Sequence, residues 1–196
     1  MNLNNNTSNI YQTYSGLKIN PFALSSDDIR IVDIAHALSN QCRFTGHVKH
    51  FYSVAEHSIA CSRLVPDSDS LWALLHDASE AYIQDIASPV KRHEIFDKYR
   101  DLEFVIQSTV NRTFDLYGHT PKSVKIADRM MLRREAEYLL SPLNYDVWDR
   151  KWLEDIPNAD IVVFCWSPKE AEAKFLDRFW ECSKLRKKET ELISAI

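Results

Sequence analysis

Glycine is nearly absent from this chain, at three residues in 196, and that scarcity constrains the fold more than any other feature. Sheet-rich folds turn often, and the positive-φ positions of their tight turns fall mostly to glycine. Here apolar residues instead recur at steps of three and four over long stretches, the mark of amphipathic helices. The pattern predicts helices over about 29–39, 53–64, 69–83, 93–116, 121–140 and 168–187. Asp67 or Ser68 can cap the third helix, and Ser167-Pro168 with Glu170 gives the last one a cap, a proline in the first turn and an acidic third position. Pro89, Pro121, Pro142 and Pro157 punctuate the ends. The run "DIVVFCW" at 160–166 is the one β-like stretch, readable as a short strand or as an apolar entry into the last helix. The expected class is all-α, a compact helical bundle.

The length suits one domain, and 45% hydrophobic residues suffice for a real core. Residues 1–17 are Asn-rich and polar and are expected to form a flexible arm, leaving 18–196 as a single domain. A formal charge of −4 without basic runs argues against a nucleic-acid polymer as partner. Cys42, Cys61, Cys165 and Cys182 form no CxxC pair and read as reduced thiols. The N-terminus lacks the order of a signal peptide, and no apolar run approaches a membrane span. A cytoplasmic protein with no membrane partner is the expectation.

The stretch "LLHDASEAY", residues 74–82, places chemistry in this helical frame. Leu71, Leu75, Ala78 and Tyr82 make a core stripe, while His76, Asp77 and Glu80 project into one neighbouring sector. Burying His76 and Asp77 without strong partners would cost several kcal/mol, a need that a divalent cation meets directly. Further ligands stand in apolar contexts on flanking helices, His57 in "SVAEHSIA" and Asp128 in "VKIADRMML". Two imidazoles and two carboxylates suit Zn²⁺, Mn²⁺, Co²⁺, Fe²⁺ or Mg²⁺, with positions left for water and substrate.

The order His57, His76-Asp77, Asp128 resembles the H…HD…D signature of the HD-domain metal-dependent phosphohydrolases. "CRFTGH", "FYSVAEHS", "LLHDASEAY", "DIASPVK" and "WSPKEAEAKFLDRF" resemble the branch holding bacterial 5'-deoxynucleotidases and phage-encoded HD hydrolases. The text is most similar to dATP triphosphohydrolases of phages that use 2-aminoadenine. The resemblance covers about residues 20–182. It implies an HD-type bundle that hydrolyses deoxynucleotides with a divalent metal, foremost dATP to deoxyadenosine and triphosphate, so depleting the dATP pool. A 5'-deoxynucleotidase acting on monophosphates is the alternative, and a non-catalytic nucleotide-binding module a third. It further implies a homo-oligomer, with a hexameric ring as the expectation, in the host cytoplasm if phage-encoded.

The resemblance also implies roles. His57, His76, Asp77 and Asp128 would hold the metal, Glu80 would be the catalytic acid/base, and Asp85 a second catalytic carboxylate. Lys91 would steady the phosphoryl oxygens, with its neighbour Arg92 solvated. Arg43-Phe44 resembles the Arg-Trp pair that grips phosphate and base in the nucleotidases, with phenylalanine for tryptophan and spacing to His57 shifted by one residue. Thr45 and Gly46 would let a purine edge approach, and His47 would line the pocket. His36 is expected to be a hydrogen-bonded structural histidine and His50 a surface one. His93 and His119 carry no assigned chemistry, and Trp166 reads as a core aromatic or a cover over the base.

Overall fold

The computed structural model describes residues 9–194, with side chains through residue 186. Nine α-helices are described: α1 (Ile31–Asn40), α2 (Val54–Arg63), α3 (Ser70–Leu74), α4 (Glu80–Ile83), α5 (Ser88–Lys91), α6 (Asp97–Thr113), α7 (Lys122–Leu139), α8 (Arg150–Glu154) and α9 (Pro168–Ser194). The class is all-α. The strands described are β1 (Tyr11–Gln12) and β2 (Lys18–Ile19), an antiparallel pair joined through Gly16 at φ +87°.

α2 is the axis of the bundle. Every residue from Val54 to Ser62 is buried, and the helix packs on α1, α3, α7 and α9. Most of its buried polar residues find partners from elsewhere, as buried polar groups generally do; the Ser58 hydroxyl is the exception, with no hydrogen-bond partner among the described residues. Ser53 caps the helix by accepting from the Glu56 N–H at 3.1 Å. At the other end Arg178 of α9 donates to the hydroxyl and the carbonyl of Ser62 at 2.9 and 2.7 Å. α7 turns Val124, Ala127, Met131, Glu135 and Leu139 inward at steps of three and four. α9 starts as its sequence predicts: Glu170 accepts from the Ser167 amide and hydroxyl at 3.0 and 2.6 Å.

Two expectations are corrected. The helix predicted over 69–83 is interrupted, and residues 75–79 form a run of turns between α3 and α4. The amides of Ala78, Glu80, Ala81 and Tyr82 each donate three residues back, a tighter winding than the α-helix and one found at functional sites. In addition, 160–166 forms no strand or helix but an irregular segment leading into α9, with Cys165 at φ +58°, Val163 buried and Val162 and Phe164 exposed. Glu56 holds it in place by accepting the amides of Phe164, Cys165 and Trp166 at 2.7, 3.1 and 2.8 Å.

Residues 1–8 of the expected polar arm lie outside the described residues. From residue 11 the arm is docked on its own chain. The Tyr11 hydroxyl donates to the Tyr82 carbonyl at 2.7 Å, and buried Asp33 accepts from the amide and hydroxyl of Ser15 at 2.6 and 2.8 Å.

Candidate metal centre

α2 supplies His57, the turn after α3 supplies His76 and Asp77, and α7 supplies Asp128. The structure brings all four together. His57 Nε2 lies 3.3 Å from His76 Nε2 and 3.3 Å from Asp128 Oδ1, and His76 Nε2 lies 3.2 Å from Asp77 Oδ2. The longer pairs are His57 Nε2 to Asp77 Oδ2 at 3.7 Å and His76 Nε2 to Asp128 Oδ1 at 3.9 Å.

The outer hydrogen bonds decide what the two rings present. His57 Nδ1–H donates to Glu135 Oε1 at 2.6 Å and His76 Nδ1–H to the Ala73 carbonyl at 2.7 Å. Each ring spends its donor outward, so in the neutral rings two Nε2 lone pairs face each other across 3.3 Å. Lone pairs repel at that distance unless a cation sits between them. Two nitrogens bound tetrahedrally to one ion at about 2.0–2.1 Å would be about 3.3 Å apart. Carboxylate and carbonyl partners on the far nitrogens are likewise those that orient metal-binding imidazoles.

Charge points the same way. Asp77, Asp128 and Glu135 bring three negative charges and Arg43 one positive charge, and the balance of two is that of a divalent cation. Without one, a proton answers the same demand. Burial and Arg43 push the His57 imidazole down, but Cys61, Glu135 and Asp128 outweigh them and hold it well above its ordinary range. Burial would raise Asp128, yet its hydrogen bond to His57 and the charges of His57, His76 and Arg43 keep it well below the usual carboxylate range. A third donor type is also at hand: His57, buried Cys61 and His76 place donor atoms within 4.8 Å of one another, a group that could hold a metal ion. Cys61 Sγ is 3.5 Å from His57 Nε2, and burial pushes its thiol up despite His57.

Glu80 lies beside this centre and is buried. Its Oε2 has no hydrogen-bond partner among the described residues, and its Oε1 is 3.9 Å from Lys91 Nζ. Burial and the charges of Asp77 and Asp85 push its pKa well up, against Lys91 and Arg43. Asp85 is also raised, chiefly by burial. The Gln41 amide ties the two together, donating to the Glu80 carbonyl at 3.0 Å and accepting the Asp85 amide at 3.1 Å. Lys91 donates to Glu103 Oε1 at 2.8 Å, so the ammonium is fixed at the edge of the site.

Arg43 reaches the centre from the loop before α2, donating through Nε to Glu135 Oε2 at 2.9 Å with Nη1 3.9 Å from Asp77 Oδ2. Phe44, Thr45 and Gly46 that follow all have positive φ, at 54°, 54° and 79°. A β-branched threonine in that region is strained, a condition that clusters at ligand sites. The loop ends are pinned by a bridge between Cys42 and Ser53 and by the Arg43 amide on the Tyr52 carbonyl at 2.9 Å. Phe44 packs against the small cluster of Tyr52, Leu139 and Val163 and meets Trp148 edge-on, whereas Thr45, Gly46 and His47 are exposed.

Other expected residues fall outside the centre. His36 is structural, bonded to Glu172 at 3.0 Å and stacked on Tyr14. Trp166 packs against the core, stacks on Phe164 and carries Lys174 over its ring. Sequence reasoning missed Glu135, Glu56 and Gln41. Glu135 had a signal: Asp128, Met131 and Glu135 are steps of three and four on one face of α7, so a carboxylate seven residues after a ligand points the same way. Cys61, one turn after His57 on α2, had a similar one.

No family model matches the chain. It is 40% identical over 178 residues to YfdR, an uncharacterized protein of Escherichia coli, covering 90% of this chain and 97% of the relative. It is 34% identical over 138 residues to an uncharacterized protein of Rhodobacter capsulatus, covering 64% of this chain and 70% of that one. Identity at that level, nearly end to end with YfdR, leaves one conclusion about kinship: this chain belongs to the YfdR family.

Proposed function

We propose that the chain is an HD-type, divalent-metal-dependent phosphohydrolase acting on deoxynucleotides, with cleavage of dATP to deoxyadenosine and triphosphate as its reaction. The observation that carries this reading is the pair of Nε2 atoms 3.3 Å apart, each with its other nitrogen bonded outward, between two aspartates. His57, His76, Asp77 and Asp128 would hold the ion, with Cys61 as a neighbouring thiol. When bound there, a divalent ion supplies Lewis-acid stabilisation of phosphoryl oxygens and acidifies water.

The chain's own residues supply the rest. Glu80 has the environment of a general acid: burial and two neighbouring carboxylates push its pKa well up. In this reading it delivers a proton to the leaving 5'-oxygen. Lys91, steadied by Glu103, and Arg43, steadied by Glu135, would serve as cations for non-bridging oxygens. The strained loop 44–46 offers backbone to a base. The preference for dATP rests on the sequence resemblance alone.

The test is a product assay. Metal-loaded protein is incubated with dATP, dAMP and 2-amino-dATP, and the inorganic products are resolved by chromatography. Triphosphate from dATP is expected, and phosphate from dAMP alone would sink the triphosphohydrolase reading. Unchanged hydrolysis in Asp77→Ala would overturn catalysis at this centre altogether.

A further inference from the structure

A hollow lies apart from the metal-centre residues. Its volume is about 490 Å³, and Arg63, Arg134, Asn158, Asp160, Val162 and Phe164 are among its walls. That volume falls within the roughly 300–1,000 Å³ typical of small-molecule sites. None of His57, His76, Asp77, Asp128, Glu80, Lys91 or Arg43 lines it.

Its walls combine three chemistries. Two guanidiniums point to an anion: Arg63 has no ion-pair or hydrogen-bond partner among the described residues, and Arg134 uses only Nε, on the Ile161 carbonyl at 3.3 Å. Phe164 offers an aromatic face, 53% exposed and stacked on Trp166 with ring centres 5.0 Å apart. Between them runs the extended segment 160–162, whose backbone N–H groups take no protein acceptor among the described residues. Unengaged donors and the Asp160 carboxylate are what a ligand carrying both acceptors and donors would use. Glu56 anchors the amides of Phe164, Cys165 and Trp166 just beyond it, so this wall is preformed.

We propose that this hollow is a binding site for an aromatic phosphate of mononucleotide size, with the phosphate between Arg63 and Arg134 and the ring on Phe164. Arginine matches phosphate geometry through its planar fork, and base stacking on an exposed ring contributes about 1–3 kcal/mol. The ligand therefore needs both halves, and neither inorganic phosphate nor an uncharged nucleoside should suffice.

Isothermal titration of the full chain with AMP, adenosine and orthophosphate tests the proposal. Wild type should bind AMP at least tenfold more tightly than either fragment. Arg63→Ala and Phe164→Ala should each weaken AMP at least tenfold with melting temperature preserved. His76→Ala, which disables the metal centre, should leave this binding in place and so separates the two sites. Absent AMP binding, AMP binding unaffected by both hollow variants, or binding lost in His76→Ala alone would overturn the site. Orthophosphate binding as tightly as AMP would remove the aromatic half of the proposal and overturn it as stated.

Discussion

Replacing Glu135 by glutamine isolates the group that ties Arg43 to His57. The glutamate is fully buried and accepts from His57 Nδ1 at 2.6 Å and Arg43 Nε at 2.9 Å. Glutamine keeps the volume but loses the charge. Its oxygen can serve one donor, and its NH₂ then meets the other donor head-on. Two hydrogen bonds to a charged acceptor are worth about 1.5–3 kcal/mol each, and breaking a buried charge pair by removing one partner costs about 3–5 kcal/mol. The expected loss in unfolding free energy of metal-free protein is about 3–5 kcal/mol, read from urea denaturation. Metal affinity, read by competition with a chelator, should fall about 10–100-fold, the usual effect of losing a carboxylate behind a ligating histidine. A variant within about 1 kcal/mol of wild type with unchanged metal affinity would refute the view that Glu135 organises the centre.

Other outcomes follow from the same geometry. His76→Ala or Asp128→Ala should abolish stoichiometric binding of one divalent ion per chain, measured by metal analysis after dialysis, and Cys61→Ser should not if the aspartates rather than the thiol complete the set. Glu80→Gln should retain the ion but lose about 10²–10⁴ in kcat, so a variant of normal turnover would exclude Glu80 as the acid. Thr45→Gly relieves a positive φ of 54° and should raise stability by about 1 kcal/mol in thermal melts. Acid should destabilise the fold through Glu135. Arg43 and His57 outweigh burial and hold its pKa below the ordinary value, so its contribution is present above the unfolded carboxylate pKa and lost as pH falls through the lower folded one. Glu135→Gln should lack that part of the acid-induced loss in a pH series of urea melts.

Much of this molecule was legible in one dimension, because helix periodicity and caps are local. Three glycines and the repeats of three and four gave the helical class and the extent of α2, while proline signals bound α7 and the cap starts α9. Candidate ligands also stood out locally, since His57, His76, Asp77 and Asp128 interrupt apolar stretches, where an ionisable group needs a reason.

What the sequence could not decide were interactions between distant residues. Glu135 sits in "RREAEY", a charged run that looks solvated, and its burial depends on contacts 78 and 92 residues away, with His57 and Arg43. Glu56 reads as an ordinary first-turn glutamate until the 164–166 segment arrives to donate to it. The unwinding at 75–79 is tertiary as well, for the sequence there has sound helix periodicity. The break places His76 and Asp77 opposite His57. A local pattern can nominate a charge, but only packing shows which charges lose their water and therefore must find each other.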